Sequence, residues 1–302
     1  AAQWFKDSMA LHPDGRRLAA QIFDPRTSTT DLWLIDLQRG DRVPLTTARG
    51  FAGIPVWSPD GTRLAYSYSK PGQRNDVYIK DLRSGQNTPL IEGRAERARP
   101  IAWSPDGAYL MVSQSQGKDE PGLWAWSFAS RTLTHFDTSV QSSAAFSPDG
   151  RYVAVTALDA GRAEVFVTTF PARSQTWPLT REGGRVLSWR ADGREILVAT
   201  LSGHIVAYPV SMEDGFSAGP PEILVRDVGV AARYTTATRD HSKILIRVSP
   251  DAAKDKGEIQ LLFRALAEGL HRFVPPGFEP VASGEFPPGL RPGSLHPPRR
   301  RK

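Results

Sequence analysis

The sequence predicts an all-β fold: a six-bladed β-propeller whose blades each contain four antiparallel strands. A five-residue motif recurs along the 302 residues, with its aspartates at positions 14, 60, 106, 149, 192 and 240. The steps between them, 43 to 48 residues long, are typical of propeller repeats. Short apolar runs of strand composition lie on both sides of each motif, which is the second reason for this prediction.

The motif itself predicts a hairpin turn. Proline presets φ, serine and aspartate bond the local backbone, and glycine accepts a left-handed conformation. The copies are Trp57–Gly61, Trp103–Gly107, Phe146–Gly150, the near-copies Leu11–Gly15 and Trp189–Gly193, and the divergent Ala237–His241. A ring of aspartate ligands is the functional alternative, but turn chemistry explains why the same residue recurs at the same place.

Each repeat contains four predicted strands. In the second repeat they are Ile54–Ser58, Arg63–Ser69, Asp76–Leu82 and Asn87–Ile91. The fourth strand ends near a Pro-Leu pair in three repeats, at Pro44, Pro89 and Pro178. Proline cannot donate a ladder hydrogen bond, so this strand is predicted to be the exposed outer edge.

The stretch from Asp7 to Arg264 resembles the TolB-like propeller family, whose blades carry an aromatic residue followed by Ser-Pro-Asp-Gly. This resemblance implies a six-bladed, non-catalytic propeller that binds proteins or peptides. Such a propeller is either free in the bacterial periplasm or attached to a larger protein. The fifth repeat, Gly183–Ile196, is similar to blades appended to bacterial serine/threonine kinases and to some transcriptional regulators.

We expect residues 1–274 to form the propeller and residues 275–302 to form a disordered, proline-rich basic tail. Repeat six shows no clear fourth strand. Either residues 1–6 or residues 271–274 supply the missing edge, or sequence upstream of residue 1 is absent.

Composition excludes several classes of function. The formal net charge is +6, but half of that excess lies in the tail, which leaves too little to indicate nucleic-acid binding. The absence of cysteine excludes disulfides and cysteine-based metal sites. No apolar segment reaches the roughly 18 residues of a membrane span, and the N-terminus does not have the pattern of a signal peptide.

No motif for chemistry stands out. The histidines at positions 12, 135, 204, 241, 271 and 296 are not spaced as metal ligands, and no nucleophile elbow, Walker loop or dinucleotide-binding motif occurs. We therefore expect no enzyme activity, no metal and no cofactor. Tryptophans 57, 103 and 189 recur at one position of the repeat, which favours packing between sheets over a ligand platform.

Binding is predicted on the face opposite the motif turns, where the loops between blades emerge. These loops are expected to carry the candidate partner-binding residues Arg49, Arg94, Arg97, Arg99, Arg181 and Arg185, opposed by Glu92, Glu96, Asp137 and Glu182. Further basic residues are expected in the strand-joining loops: Arg26, Lys70, Arg74, Lys118 and Arg162. Because arginine binds carboxylates bidentately, the hypothesis is a mildly basic face that receives an acidic peptide. A solvated loop surface is the alternative.

The sequence thus favours a monomeric, non-catalytic propeller that binds a protein or peptide, with the periplasm or cell envelope implied by the family resemblance. The alternative is an accessory or sensor propeller of a larger enzyme, either a bacterial serine/threonine kinase or a prolyl-oligopeptidase-like hydrolase, whose catalytic domain lies outside this chain. The identity of the partner does not follow from the sequence.

Overall fold

The recurring motif forms the hairpin turn between the first and second strand of each repeat. In repeat two the Ser58 hydroxyl donates to Asp60 Oδ1 at 2.6 Å and accepts the Arg63 N–H at 2.9 Å. Gly61 has a φ of 70°, a left-handed conformation that favours glycine. The turn chemistry predicted from the sequence is confirmed, and the aspartate is held by its own turn.

The computed structural model describes residues 4–47, 50–93, 97–115, 122–226, 235–248, 258–263 and 271–273. No helix occurs in these ranges, and each repeat forms its own group of strands. The first repeat contains β1 (Trp4–Leu11), β2 (Arg17–Asp24), β3 (Thr29–Asp36) and β4 (Arg42–Pro44). The second contains β5 (Phe51–Trp57), β6 (Arg63–Ser69), β7 (Asp76–Asp81) and β8 (Asn87–Ile91).

The third and fourth repeats follow the same order. They contain β9 (Arg97–Trp103), β10 (Tyr109–Ser115), β11 (Gly122–Ser127) and β12 (Thr132–Asp137), then β13 (Val140–Phe146), β14 (Tyr152–Asp159), β15 (Arg162–Thr169) and β16 (Thr176–Pro178). Within each group, consecutive strands pair in an antiparallel manner. The prolines of β4, β8 and β16 lie in edge strands, as predicted.

The fifth repeat departs from the four-strand pattern. It contains β17 (Gly184–Trp189), β18 (Glu195–Thr200), β19 (Ile205–Ser211), β20 (Ser217–Ala218) and β21 (Glu222–Val225). Both β20 and β21 pair with β19. The fourth strand is divided because Pro220 and Pro221 lie between its two halves, and neither proline can donate a ladder hydrogen bond.

The first two repeats are also linked in a way that the sequence did not predict. A single parallel pairing of Thr30 with Phe51 joins β3 to β5 and merges the two groups into one eight-stranded sheet. The Thr30 N–H donates to the Gly50 carbonyl at 3.1 Å and its hydroxyl donates to the Ala52 carbonyl at 3.0 Å. The bridge is local and leaves the antiparallel order within each repeat intact.

The sixth repeat contains β22 (Thr235–Ala237), β23 (Lys243–Val248), β24 (Glu258–Phe263) and β25 (His271–Phe273). Because β25 (His271–Phe273) pairs with β24, the missing edge comes from the segment after residue 270, which is one of the predicted alternatives. Repeat six also meets repeat one, where the Leu11 N–H donates to Thr236 Oγ1 at 3.3 Å.

The first strands of the repeats contact one another in a closed cycle, β1 to β5, β9, β13, β17, β22 and back to β1. The other strands of each repeat follow outward from these inner strands. The fold is an all-β propeller. The count of six blades remains a prediction, which this cycle of contacts supports.

The core lies between neighbouring sheets. Leu64, Leu110 and Ile196 are completely buried, and burying an aliphatic side chain of this size contributes about 1.5–3 kcal/mol. Trp103 stacks on Phe128 with ring centroids 4.9 Å apart, and its indole N–H reaches the previous repeat at Val56 O, 3.1 Å away. The predicted packing role of the repeated tryptophans is confirmed.

Within the described ranges no helix has the length and apolarity needed to cross a membrane. The predicted tail, residues 275–302, lies outside the described residues. The boundary at residue 274 therefore stays a prediction.

Candidate functional site

The inner strands surround a cavity of about 670 Å³ on the axis of the ring, a size within the usual range of ligand pockets. Residues of β1, β5, β9, β13, β17 and β22 line it, together with residues of the motif turns. We call this cavity the channel. Its turn side is the end at which the motif turns lie, and its loop side is the opposite end.

β-Bulges shape the wall of the channel. The pairing of β9 with β10 and of β17 with β18 shifts by one residue, which leaves Ile101 and Leu187 without a cross-strand partner. Both side chains line the channel. A bulge inserts one residue and redirects its side chain, so each of these two bulges adds one apolar residue to the wall.

The turn side ends in a ring of residues that we call the collar. Its members share the proline position of the recurring motif, and all of them line the channel: Pro13, Pro59, Pro105, Pro148, Ala191 and Arg239. The prolines carry no backbone N–H. The collar is therefore a rigid, mostly apolar opening that contains one charged side chain.

The charge of the channel is positive. Arg185 and Arg239 line it, and no aspartate or glutamate is found among the described residues of its lining. His12 also lies there, but it is held in a contact between repeats: its Nε2 is 3.1 Å from the Gly61 carbonyl and its ring packs edge-on against Trp57. Arg185 and Arg239 give the described lining a positive charge, which suits an anionic ligand.

The predicted arginines are not gathered into one loop cluster. Arg97 and Arg99 lie in strand β9 and Arg185 lies in strand β17 rather than in loops. The prediction was wrong on this point because the first strands begin several residues earlier than their apolar runs indicate. Of the four predicted arginines that the structure describes, only Arg181 occupies a connection, between β16 and β17, and its carbonyl accepts a hydrogen bond from Arg162.

Arg97 and Arg99 are exposed in the first half of β9, toward the loop side of the propeller. Neither forms an ion pair with another described residue. Arg99 and Arg185 occupy equivalent positions, each four residues before the tryptophan that ends its strand. Among the predicted arginines within the described ranges, only Arg185 lines the channel. Arg49 and Arg94 lie outside the described residues.

The carboxylates predicted to oppose these arginines also separate. Asp137 is buried at the end of β12, where its Oδ2 lies 2.7 Å from Arg173 Nη1. Glu92 and Glu182 are exposed, and Glu96 lies outside the described residues. Asp137 is thus neutralised by its own partner and does not offset the exposed arginines.

Sequence reasoning missed Arg239. Its signal was present, since arginine replaces proline at a position that four other copies of the motif keep. In the sequence alone, the missing proline indicates only that the sixth repeat is divergent. Recognising Arg239 as a channel residue requires knowing that the motif turns converge on the axis.

One hydrogen-bonded chain resembles a hydrolase triad in its order. Ser188 Oγ lies 2.8 Å from His241 Nε2, and His241 Nδ1 lies 2.8 Å from Glu195 Oε1. The imidazole is completely buried between repeats five and six, whereas a general base must reach its substrate. The hydrogen bonds from Ser188 through His241 to Glu195 therefore form a contact between repeats five and six. The described residues contain no group of three or more histidine, aspartate or glutamate side chains able to hold a metal ion.

Residues 8–139 match the family model of the TolB beta propeller domain. The crystal structure of TolB from Acinetobacter baumannii superposes with a TM-score of 0.66 at 18% identity, covering 83% of this chain and 62% of that chain. The chain has the fold of a TolB-like β-propeller. The predicted resemblance is confirmed, and at this identity the superposition shows a shared fold.

The TolB-like propeller is also similar to parts of larger proteins. It is 32% identical over 112 residues to the uncharacterized peptidase YuxL of Bacillus subtilis, covering 36% of this chain and 17% of that protein. It superposes on the β-propeller domain of the Trilobed protease from Pyrococcus furiosus with a TM-score of 0.57 at 12% identity, covering 93% and 98% of the two chains. The chain thus spans less than a fifth of the peptidase that it matches.

Proposed function

We propose that this TolB-like propeller is a non-catalytic binding module that receives an acidic peptide segment at the loop side of its channel. The observation that carries the proposal is the distribution of charge. Arg97 and Arg99 are exposed without ion-pair partners among the described residues, and Arg185 lines a channel that lacks carboxylates in its described lining. The predicted arginines Arg49, Arg94 and Arg181 belong to the same proposal.

The chemistry of such a site is simple. A guanidinium group offers paired N–H donors to a carboxylate, and these charge-assisted bonds are about twice as strong as neutral ones. The partial enclosure of the channel lowers the effective dielectric constant, which strengthens the attraction. A rigid propeller also loses little conformational entropy on binding, which favours affinity.

A charge-reversal experiment tests this proposal. The double variant Arg97→Glu/Arg99→Glu is compared with Arg39→Glu/Arg83→Glu, which makes the same change in charge at exposed positions in turns between third and fourth strands. The probe is a fluorescein-labelled peptide of alternating glutamate and alanine, with a lysine–alanine peptide as control. We expect the Arg97/Arg99 variant to lose at least about tenfold in affinity for the acidic peptide, and the control variant to lose much less.

If the two variants lost the same affinity for the acidic peptide, the loss would be an effect of the net charge of the protein. That result would contradict a site at Arg97 and Arg99. Unchanged affinity of the Arg97/Arg99 variant would contradict it directly. Capture from a bacterial envelope extract with the same pair of variants would identify the natural partner. Size-exclusion chromatography with light scattering would test the proposed monomer.

A second candidate is favoured by the similarity to propellers of proteases and peptidases. In this alternative the chain is the accessory or sensor propeller of a larger enzyme, a hydrolase or a bacterial serine/threonine kinase. The genomic sequence on either side of residues 1 and 302 tests it. A kinase or hydrolase domain in frame would support this alternative, and a secretion signal immediately upstream would support a free periplasmic protein.

A further inference from the structure

The collar consists of apolar residues and a single arginine. Four of its members are prolines and one is alanine, so Arg239 is its one charged side chain. Arg239 is exposed, and its guanidinium forms no ion pair or hydrogen bond with another described residue. Its backbone is nevertheless fixed, because the Ala191 N–H donates to the Arg239 carbonyl at 2.7 Å.

The aspartates around the collar do not neutralise this arginine by direct contact. Asp240, the neighbour of Arg239, accepts the Ser242 N–H at 3.1 Å and the Ser242 hydroxyl at 2.8 Å. Asp192 of the adjacent turn pairs with Arg190 at 2.8 Å. Each carboxylate is turned back toward its own hairpin, which leaves the Arg239 guanidinium available to a ligand.

We infer that the collar binds the free C-terminus of a peptide whose last residue is apolar. The terminal carboxylate pairs with Arg239, and the last side chain enters the channel toward the apolar wall at Ile101 and Leu187. This inference rests on the proposed function only in that the propeller binds peptides, since it concerns the opposite end of the channel.

A chain end fits this opening better than an internal acidic segment does. The last residue of a peptide carries a carboxylate and a side chain within a few ångströms of each other, which matches one arginine set among the apolar residues of the collar. An internal segment would bring backbone carbonyls against prolines, which have no N–H to donate. Polar groups that lose water without gaining a partner make binding less favourable.

Paired peptides test the inference. The probes are acetyl-Gly-Gly-Ala-Leu with a free carboxylate, the same peptide with a C-terminal amide, and decanoate as a carboxylate without a peptide backbone. Binding is followed by isothermal titration calorimetry and by the fluorescence of Trp57, Trp103 and Trp189, which line the channel. We expect the free acid to bind about tenfold more tightly than the amide, and more tightly than decanoate.

The matched variants are Arg239→Gln and Arg194→Gln. Arg194 is exposed near the adjacent turn but does not line the channel. We expect Arg239→Gln to remove the preference for the free acid and Arg194→Gln to keep it, with unchanged melting temperatures as the check on folding. The Arg97→Glu/Arg99→Glu variant should keep it too, which separates this inference from the proposed function.

Several results would overturn the inference. They are equal affinity for the acid and the amide, no measurable binding of either peptide, a preference that survives in Arg239→Gln, or tighter binding of decanoate than of the free-acid peptide. The last result would indicate a site for small organic acids instead of a peptide end.

Discussion

The imidazole of His241 in repeat six lies against the Glu195 carboxylate of repeat five, with Nδ1 2.8 Å from Oε1. His241 occupies the position at which the other copies of the motif have glycine, and it shares their left-handed backbone with a φ of 55°. Its side chain is completely buried and also bonds Ser188 of repeat five. The divergent sixth turn thus replaces a glycine with a polar contact that holds repeats five and six together.

Two replacements of His241 separate the contribution of its side-chain contact from the strain of its left-handed backbone. His241→Ala removes both of these hydrogen bonds, to the Ser188 hydroxyl and to the buried Glu195 carboxylate, while Arg190 Nη1 stays 3.3 Å from Glu195 Oε2. Breaking a buried, charged contact of this kind costs about 3–5 kcal/mol in the free energy of unfolding. His241→Gly removes the same contact but suits the left-handed backbone, so it should be about 1 kcal/mol more stable than the alanine variant.

Urea denaturation followed by tryptophan fluorescence measures both values. Equal stability of the alanine and glycine variants would show that the left-handed backbone at residue 241 stores no strain. Wild-type stability in either variant would show that the His241 contact does not hold the two repeats together.

A pair of glycines allows packing to be separated from backbone conformation. Gly61 and Gly85 have nearly the same φ, 70° and 72°, but a Cβ at Gly61 would lie 2.3 Å from His12 Nε2 whereas a Cβ at Gly85 would meet nothing within 4 Å. Gly85→Ala should therefore cost only the left-handed strain, about 1–2 kcal/mol. Gly61→Ala should cost a further 1–3 kcal/mol or so from overpacking.

The additional cost should disappear when His12 is shortened. In a His12→Ala background, the effect of Gly61→Ala on the free energy of unfolding should fall to about that of Gly85→Ala, measured by chemical denaturation as a double-mutant cycle. If the two effects of Gly61→Ala are equal in the two backgrounds, the contact between His12 and Gly61 does not constrain the turn.

The turns and most strands could be predicted from sequence because local chemistry specifies them. The Pro-Asp-Gly motif fixes its own conformation, and Arg63–Ser69 and Asn87–Ile91 form strands with the predicted bounds. First strands were less predictable. β5 begins at Phe51 rather than Ile54, because pairing with β6 extends the strand beyond its apolar run.

The channel could not be predicted from the sequence because it arises only when the repeats close around an axis. That closure brings the proline positions of the motif together and makes Arg239 a channel residue. It also separates Arg181, which stays in a connection, from Arg185, which enters the channel. The bulges at Ile101 and Leu187 could not be predicted from the sequence, because both residues are apolar and typical of any strand.

The motif aspartates should make the protein sensitive to acid. The Ser58 hydroxyl and the Thr62 N–H lower the pKa of Asp60 from 3.8 to about 2, and the Thr238 hydroxyl and the Ser242 N–H lower that of Asp240 to about 2. A carboxyl whose folded pKa is depressed stabilises the fold above its unfolded pKa. That contribution is lost as the pH falls from about 4 toward 2.

Asp60→Asn tests this linkage because asparagine resembles the protonated carboxyl. At pH 7 the variant should be about 1 kcal/mol less stable than the wild type, and the difference should shrink steadily below about pH 4. Asp41→Asn, at an exposed position between β3 and β4, controls for the loss of one charge. Denaturant titrations from neutral to acidic pH measure the difference. A difference between Asp60→Asn and wild type that is constant over this range, or one that Asp41→Asn reproduces, would rule out the Ser58–Asp60 turn as its source.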